Sequence, residues 1–289
     1  MTVTLATGST LGVLARQEIR NYLKAKLFWF GAALTVVLGI LAAVGKLDSA
    51  GESSATYMIG PAALLGVLGL VTMFGLARRS DAAAEAAGAV AVPERTRTLA
   101  LAAAVVVPFT VALVVFVLAV VGYYVDPPEP YTIWPGVSAL FVHAEQFGDG
   151  VMCAVGGPLL GLLLARWLPR RGVSVVAAVL LVLVTILLQG WGSGGQPYRV
   201  VWVWTYFVSP SSGDRWQTAP GNPYFWVAYL AVLCVLGIVV AAYHDPESDR
   251  ARLKSAAIAL VVLAGVLVAL TMTVGGTDVL TNPLPVPTT

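Results

Sequence analysis

The sequence has very little charge. Only 11% of its 289 residues are Asp, Glu, Lys or Arg, whereas 58% are hydrophobic and the mean hydropathy is +0.84. Because a soluble domain carries about a quarter charged residues, this composition excludes an ordinary soluble domain. The formal net charge of +2 gives no indication of a nucleic-acid partner, and none is expected.

Cysteine and histidine are also scarce, with two of each in the chain. Cys153 and Cys234 lie in apolar runs, where we interpret them as small buried side chains without a disulfide or metal role. His143 and His244 lie outside those runs, and neither has a Cys or a second His close to it in the sequence. We therefore expect no metal site and interpret both histidines as plain surface or interface residues.

The chain lacks the motifs of nucleotide hydrolysis and of other catalysis. It has no Gly-x4-Gly-Lys-Ser/Thr P-loop and no His-Glu-x-x-His. The Gly-rich stretch GWGSGG at 190–195 lacks the P-loop lysine, and its serine does not fit Gly-x-Ser-x-Gly. We predict that the chain itself is not an enzyme and binds no cofactor.

The apolar runs contain almost no ionisable side chains. Asp149, at the outer end of one run, is the nearest case, and Gln189 is among the strongest polar groups inside. Carriers coupled to protons or sodium bind the coupling ion at membrane depth, and channels need a polar pore lining. Neither class fits this sequence, so we expect any transport to be energised from outside the spans.

What the sequence does contain is seven apolar runs, each close to the length of about 20 residues that a helix needs to cross a bilayer. This pattern predicts an all-α polytopic membrane protein with about seven transmembrane helices, forming a transmembrane domain over 27–275. The predicted spans are 27–45, 57–77, 98–124, 150–167, 173–191, 224–243 and 255–275.

Basic residues are distributed unevenly between the segments that join these spans. If the N-terminus lies inside the cell, 14 of the 17 Lys and Arg residues fall in inner segments. The positive-inside rule therefore predicts a multi-pass protein of the plasma membrane, with a cytoplasmic N-terminus and an outer C-terminus. The inner segments are 1–26, 78–97, 166–172 and 244–254. The long outer loops are 125–149 and 192–223, and the outer tail is 276–289.

The first inner segment, 1–26, is amphipathic. Over residues 10–26, apolar side chains recur at i, i+3 and i+4 spacing, and basic and amide side chains occupy the other side. This spacing predicts a helix that lies in the cytoplasmic interface of the membrane. A basic flank to a signal anchor is the alternative interpretation.

Proline and glycine mark positions within the spans. Pro108 lies inside the third span, where a proline removes a backbone hydrogen bond and usually kinks the helix. We consider it a candidate hinge, although most prolines in membrane helices are simply accommodated. Gly157 and Gly161 form a small-xxx-small pair, which favours close packing between helices.

Three stretches together resemble a known family. LARQEIRNYLKAKLFWFGAAL runs from the amphipathic helix into span one, Pro-x-Arg-x-Arg precedes an alanine-rich span, and APGNPYFWVAYLAVLCVLGIVVAAYHDPESDR leads into span six and a charged inner loop. Over most of residues 10–255, this layout resembles the permease subunits of bacterial ABC transporters of the ABC-2 exporter type.

The resemblance implies a division of labour between subunits. The N-terminal helix is a cytoplasmic elbow, and the loop 78–97 carries a coupling helix at 80–91 that docks on a separate ATPase subunit. That ATPase binds ATP and Mg²⁺, while the permease pairs with a second copy or a related half. The expected activity is export of a hydrophobic or amphipathic substrate such as a peptide, a lipid or an antibiotic.

In this sequence the implied coupling helix has favourable local chemistry. Ser80 is placed to cap it, and Asp81 lies near the positive end of its dipole. Its alanines have high helix propensity, Pro93 is expected to stop it, and Arg95 and Arg97 are expected to return the chain to the headgroups. The predicted coupling residues are Ser80, Asp81, Glu85, Pro93, Arg95 and Arg97.

Other interpretations remain open at this point. The loop 78–97 is alternatively an ordinary solvated loop, and the chain is alternatively a non-transporting scaffold, sensor or assembly factor of a larger membrane complex. The common half-permease has six spans and an inner C-terminus, whereas this chain has seven predicted spans. Either 255–275 is an extra helix or an earlier run is re-entrant.

Overall fold

The computed structural model describes residues 7–43, 60–88, 92–125, 139–190, 201, 208–211, 215–218 and 221–274. Nearly all of these residues are helical. The helices are α1 (Thr7–Leu23), α2 (Lys26–Ala43), α3 (Leu68–Ala87), α4 (Glu94–Ala103), α5 (Val106–Val125), α6 (Ala139–Gln146), α7 (Cys153–Trp167), α8 (Val173–Gly190), α9 (Pro223–Tyr243) and α10 (Arg250–Thr273). Strands β1 (Val208–Ser211) and β2 (Arg215–Thr218) form an antiparallel hairpin.

Several helices have the length and apolar character to cross a membrane. Within the described ranges there are five: Pro61–Ala87, Glu94–Val121, His143–Trp167, Pro223–Tyr243 and Arg250–Thr273. A sixth is added if α1 and α2, which are bent by 63° relative to each other, form one broken span. These helices confirm the predicted helical class and indicate a multi-pass, membrane-embedded protein. The number of seven spans and the orientation stay predictions.

Helices α3 and α7 form the centre of the bundle. A π-helical segment, Pro61–Val67, leads directly into α3. A Cβ added to Gly157 would overlap the carbonyl group of Gly66 in this segment, and one added to Gly161 would overlap that of Leu70 on α3. Both contacts advance by four residues in the same direction, so the two helices run parallel with their backbones in direct contact. Glycine permits this approach because it has no side chain to keep the helices apart.

Helices α8 and α10 lie at the periphery. Val176 on α8 and Val262 on α10 are 58% and 62% exposed, and most of their apolar neighbours on these helices are similarly exposed. In a protein embedded in a membrane, apolar side chains of this kind face lipid without cost, since lipid tails are as apolar as Leu.

The charged segments of the sequence gather at one end of the bundle. The N–H of Arg95, at the start of α4, donates to the Asp245 carboxylate just after α9, over 2.7 Å. At the other end, the N–H of Asn222 before α9 donates to the Thr271 carbonyl near the end of α10, over 2.8 Å. We call the former the charged end; it comprises the described residues of 78–97, 166–172 and 244–254.

The third predicted span is broken close to Pro108. Helix α4 ends at Ala103 and α5 begins at Val106. Between them is a tight turn, in which the N–H of Val107 donates to the Ala104 carbonyl over 3.1 Å. Because Pro108 has no N–H, the Ala104 carbonyl cannot receive the usual helical bond from it. The proline therefore coincides with a local break, while movement at this break stays a prediction.

The chain bends sharply between α1 and α2. The predicted helix over 10–26 is shifted by three residues, because α1 begins at Thr7 and ends at Leu23. The indole N–H of Trp29 donates to the Leu23 carbonyl over 2.6 Å. Tyr22 and Phe28 pack edge to face beside the bend, with ring centroids 5.3 Å apart.

Candidate functional site

The candidate site lies at the charged end, where four helix termini converge. The last turns of α3, the first turn of α4, the end of α7 and the end of α9 each contribute charged side chains to one network. In the sequence, these four termini belong to three separate inner segments, 78–97, 166–172 and 244–254. The structure therefore brings together residues that lie up to about 160 positions apart, since Asp81 and Asp245 belong to the same end.

The separate coupling helix predicted at 80–91 is wrong. Helix α3 continues without a break from Leu68 to Ala87, so Ser80 lies inside it and caps no helix, and Asp81 is not at a helix N-terminus. The physical reason is propensity: the alanine-rich stretch after the span contains no proline or interior glycine, so the preceding helix propagates through it. Residues 89–91 lie outside the described residues.

The predicted stop at Pro93 is also wrong. Helix α3 ends at Gly88, whose φ of +57° is a backbone conformation that glycine adopts readily. Pro93 instead occupies the N-cap position of α4, with Glu94 as the first helical residue. A proline directly before a helix is favourable because it needs no hydrogen-bond partner for an N–H.

Arg166, near the end of α7, is the centre of the network. Its Nη1 lies 2.5 Å from the Asp81 carboxylate of α3, and its Nε donates to the Thr98 hydroxyl of α4 over 3.0 Å. The same Nε lies 3.7 Å from the Glu94 carboxylate. Arg166 is only 3% exposed, so these partners compensate a guanidinium that would otherwise be buried without a counter-charge.

Arg97 joins α4 to the end of α3. Its Nη1 donates to the Ser80 carbonyl over 3.1 Å and to the Asp81 carboxylate over 3.2 Å. Its side chain is mostly buried against α3, and the return of the chain to the headgroups at this residue stays a prediction. The side chain of Arg95 is exposed, as expected of a headgroup residue.

The end of α9 completes the network. Nδ1 of His244 lies 2.7 Å from the Glu94 carboxylate, and the His244 ring packs edge to face on Trp167 at 5.3 Å. Asp245 is buried and accepts the backbone N–H of Arg95. His244 is thus a partly exposed member of the site, and its contacts with Glu94 and Trp167 were not indicated by the sequence.

Glu85 is different from the other predicted coupling residues. It is exposed near the end of α3, in a part of the helix that extends beyond the contacts of Asp81 with α4 and α7. Ala82, Ala83 and Ala86 are exposed on the same terminal turns. The end of α3 is therefore a small, mostly uncharged protrusion fixed at its base by the arginine network.

The opposite end of the bundle contains two buried acids, of which the sequence analysis had singled out only Asp149. Glu145 and Asp149 are 0% and 2% exposed, because α6 continues through a π-helical segment, Phe147–Met152, into α7. His143 contacts the Gln146 amide oxygen over 3.0 Å, through Nδ1. The predicted span 150–167 began too late to include Glu145.

Two further features have no evident chemistry. Among the described residues, no group of three or more His, Cys, Asp or Glu side chains is arranged to hold a metal ion. Cys153 and Cys234 face a small apolar cavity of about 150 Å³ between α7 and α9. Their surroundings are consistent with their interpretation as packing residues.

Comparisons with known protein families, with curated proteins and with solved structures returned no match. The apolar helices and the charged end define the chain as a helical, membrane-embedded protein with a compact ionic network at one end. A more specific function has to be inferred from this network and from the sequence resemblance.

Proposed function

We propose that the chain is the membrane-spanning permease subunit of an ATP-driven exporter of the ABC-2 type. The observation that carries the proposal is the end of α3, which protrudes beyond its apolar part and is tied at its base to α4 and α7 through Asp81, Arg97 and Arg166. Displacing this end displaces the spans attached to it. A separate ATPase would need an exposed helix end that is fixed to the spans in this way in order to act on the membrane domain.

The docking element in this proposal is the end of a rigid helix and not a detached coupling helix. Residues 78–87 form about 15 Å of helix at 1.5 Å per residue. A continuous helix transmits a push along its axis directly to the α3–α7 contact at Gly157 and Gly161. In a loop-borne helix, by contrast, part of the displacement would be absorbed by the connecting chain.

The remaining parts of the proposal follow from the sequence resemblance. The charged end faces the cytoplasm, where its basic residues satisfy the positive-inside rule. A partner subunit binds ATP and Mg²⁺, a second permease copy or related half completes the transporter, and the substrate is hydrophobic or amphipathic. The chain contributes no catalytic group of its own.

The test is a charge change at the end of α3. Glu85→Arg combined with Ala86→Glu should abolish stimulation of ATP hydrolysis in the assembled complex, while the purified chain keeps its thermal stability because both side chains are exposed. Glu247→Arg is the matched control, since it reverses an exposed acid at the same end, outside α3.

Two results would contradict the proposal. The first is purification of the intact complex from its own cells without any ATP-hydrolysing subunit. The second is full retention of coupled ATP hydrolysis in the double variant, which would place the docking surface away from α3.

A further inference from the structure

A polar groove lies beside the network, between α1 and the facing ends of α3 and α4. Its volume is about 440 Å³. The polar side chains that line it are Gln17, Glu18 and Asn21 from α1, Arg79 and Ser80 from α3, and Arg97 from α4. The rest of its lining is apolar and consists mainly of small alanines.

Most of the charges in this groove are already paired. The Asn21 amide donates to the Glu18 carboxylate over 3.0 Å, and Arg97 is bound to Asp81. Arg79 is the exception: its exposed side chain forms no hydrogen bond or ion pair with any residue that the structure describes. The groove therefore has one unengaged guanidinium, beside the amide of Gln17 and the hydroxyl of Ser80.

The groove lies where the apolar parts of the helices end. Ala100 at its inner side is fully buried in the bundle, whereas Arg79 and Gln17 at its outer side are exposed. Helix α1 has the composition of an interfacial helix, with apolar and polar sides. This boundary between apolar and charged surroundings is the depth of lipid headgroups in a membrane-embedded protein.

The charge of this end complements an anionic membrane surface. The segments 1–26, 78–97, 166–172 and 244–254 contain fourteen basic and seven acidic side chains, a formal charge of +7, although the whole chain carries only +2. Basic pockets between membrane helices bind anionic headgroups, and juxtamembrane basic residues attract them. A guanidinium matches a phosphate with two parallel hydrogen bonds.

We propose that this groove is a specific binding site for the phosphate of an anionic phospholipid, with Arg79 as the principal contact. The Gln17 amide donates one N–H to Asn21 over 3.2 Å, so its second N–H and the Ser80 hydroxyl supply further hydrogen-bond donors. The alanines line the side on which the lipid's glycerol and chains would lie. Lipid binding at this site does not depend on transport, so its test is independent of the test of the function proposed above.

The experiment compares lipid binding by the purified full-length chain in a neutral detergent. Native mass spectrometry measures the dissociation constants of phosphatidylglycerol and of phosphatidylcholine with the same acyl chains. The chain should bind phosphatidylglycerol more tightly, and Arg79→Gln should weaken that binding by about fivefold, as expected for one basic residue near an anionic lipid. Arg79→Lys should retain part of the affinity.

The matched control is Arg171→Gln, which removes an exposed arginine at the same end but outside the groove. An equal loss with Arg171→Gln would overturn the proposal, because it would show only diffuse attraction by the basic surface. Equal binding of both lipids by the unmodified chain would also overturn it. So would competition by millimolar inorganic phosphate, which would identify a free-anion site. Thermal unfolding of each variant shows whether it is folded.

Discussion

Helices α3 and α7 are held together in two different ways along their length. In their apolar parts, Gly157 and Gly161 touch the backbone at Gly66 and Leu70. At the charged end, the contact is an ion pair from Arg166 to Asp81, and each of these side chains has another partner.

The difference between these contacts concerns how much rearrangement each permits. The backbone contact has one arrangement, because the carbonyl groups of Gly66 and Leu70 leave no room for a side chain at Gly157 or Gly161. The ionic network has shared partners, since Asp81 contacts both Arg97 and Arg166, and Glu94 contacts both Arg166 and His244. We therefore expect the glycine contact to act as a fixed pivot and the charged end to be the part that rearranges when α3 is displaced.

The largest effect should follow from filling the glycine contact. Gly161→Leu forces a side chain into the carbonyl of Leu70, which neither helix can avoid without separating. Overpacking of a tight core costs about 1–3 kcal/mol and occasionally more, and here the obstacle is backbone. We expect the variant to lose its cooperative thermal unfolding in detergent and to elute as aggregate in size-exclusion chromatography.

Gly75→Leu is the control for that variant. Gly75 lies on α3, the helix that Gly161 of α7 contacts, but a Cβ there meets no atom within 4 Å. Both substitutions raise intrinsic helix propensity, so the difference between them isolates the interhelical contact. Equal stability of the two variants would show that α3 and α7 do not touch at Gly161.

A smaller but still large effect should follow from removing the buried arginine. Arg166→Met leaves Asp81 and Glu94 with fewer counter-charges in a partly buried site, and losing one partner of a buried pair costs about 3 kcal/mol or more. The free energy of unfolding in detergent measures this. Arg170→Met, which changes an exposed arginine four residues later, should change stability by less than about 0.5 kcal/mol.

A double-mutant cycle separates the ion pair from other effects of the substitution. The double variant Arg166→Met/Asp81→Asn should lose less free energy of unfolding than the two single variants lose together. Each single variant leaves the other charge of the pair without its partner, whereas the double variant removes both charges. Strict additivity would mean that the pair contributes nothing and that Arg166 stabilises the bundle only by packing.

The smallest effect concerns the outer part of the network. Glu94→Gln removes the charge that contacts His244 and Arg166, in a part of the site that is partly open to solvent. Since exposed pairs contribute about 0–1 kcal/mol, we expect a loss of about 1 kcal/mol or less in unfolding experiments. A loss as large as that of Arg166→Met would place Glu94, and not Asp81, at the centre of the network.

The sequence predicted the helical architecture because the length of a hydrophobic run can be read directly from consecutive residues. It also placed the small residues Gly157 and Gly161 and the break near Pro108, since these features have local causes. It did not predict where α3 ends, although Gly88 was a visible signal for a helix C-terminus. Alanine-rich sequence favours a new helix and a continued helix equally.

The arginine network could not be predicted from the sequence, for a different reason. Arg166 has the position of an ordinary positive-inside arginine at the end of a span, and only the tertiary contact with Asp81, 85 residues away, makes it a buried structural residue. His244 and Asp245 likewise acquire their roles from contacts with Glu94 and Arg95, 150 residues away. Such pairings depend on which helix ends meet, which a single sequence does not encode locally.

Cross-linking from the end of α3 shows whether an ATP-hydrolysing subunit docks on this helix. Because Cys153 is buried and Cys234 lies within α9, Glu85→Cys gives the chain one exposed thiol at the proposed docking surface. A bifunctional thiol-to-amine reagent, applied to the complex purified from its own cells, should join this position to a subunit that hydrolyses ATP, whereas Glu247→Cys should not. Capture of that subunit only from Glu247→Cys, or from neither position, would contradict a docking surface at the end of α3.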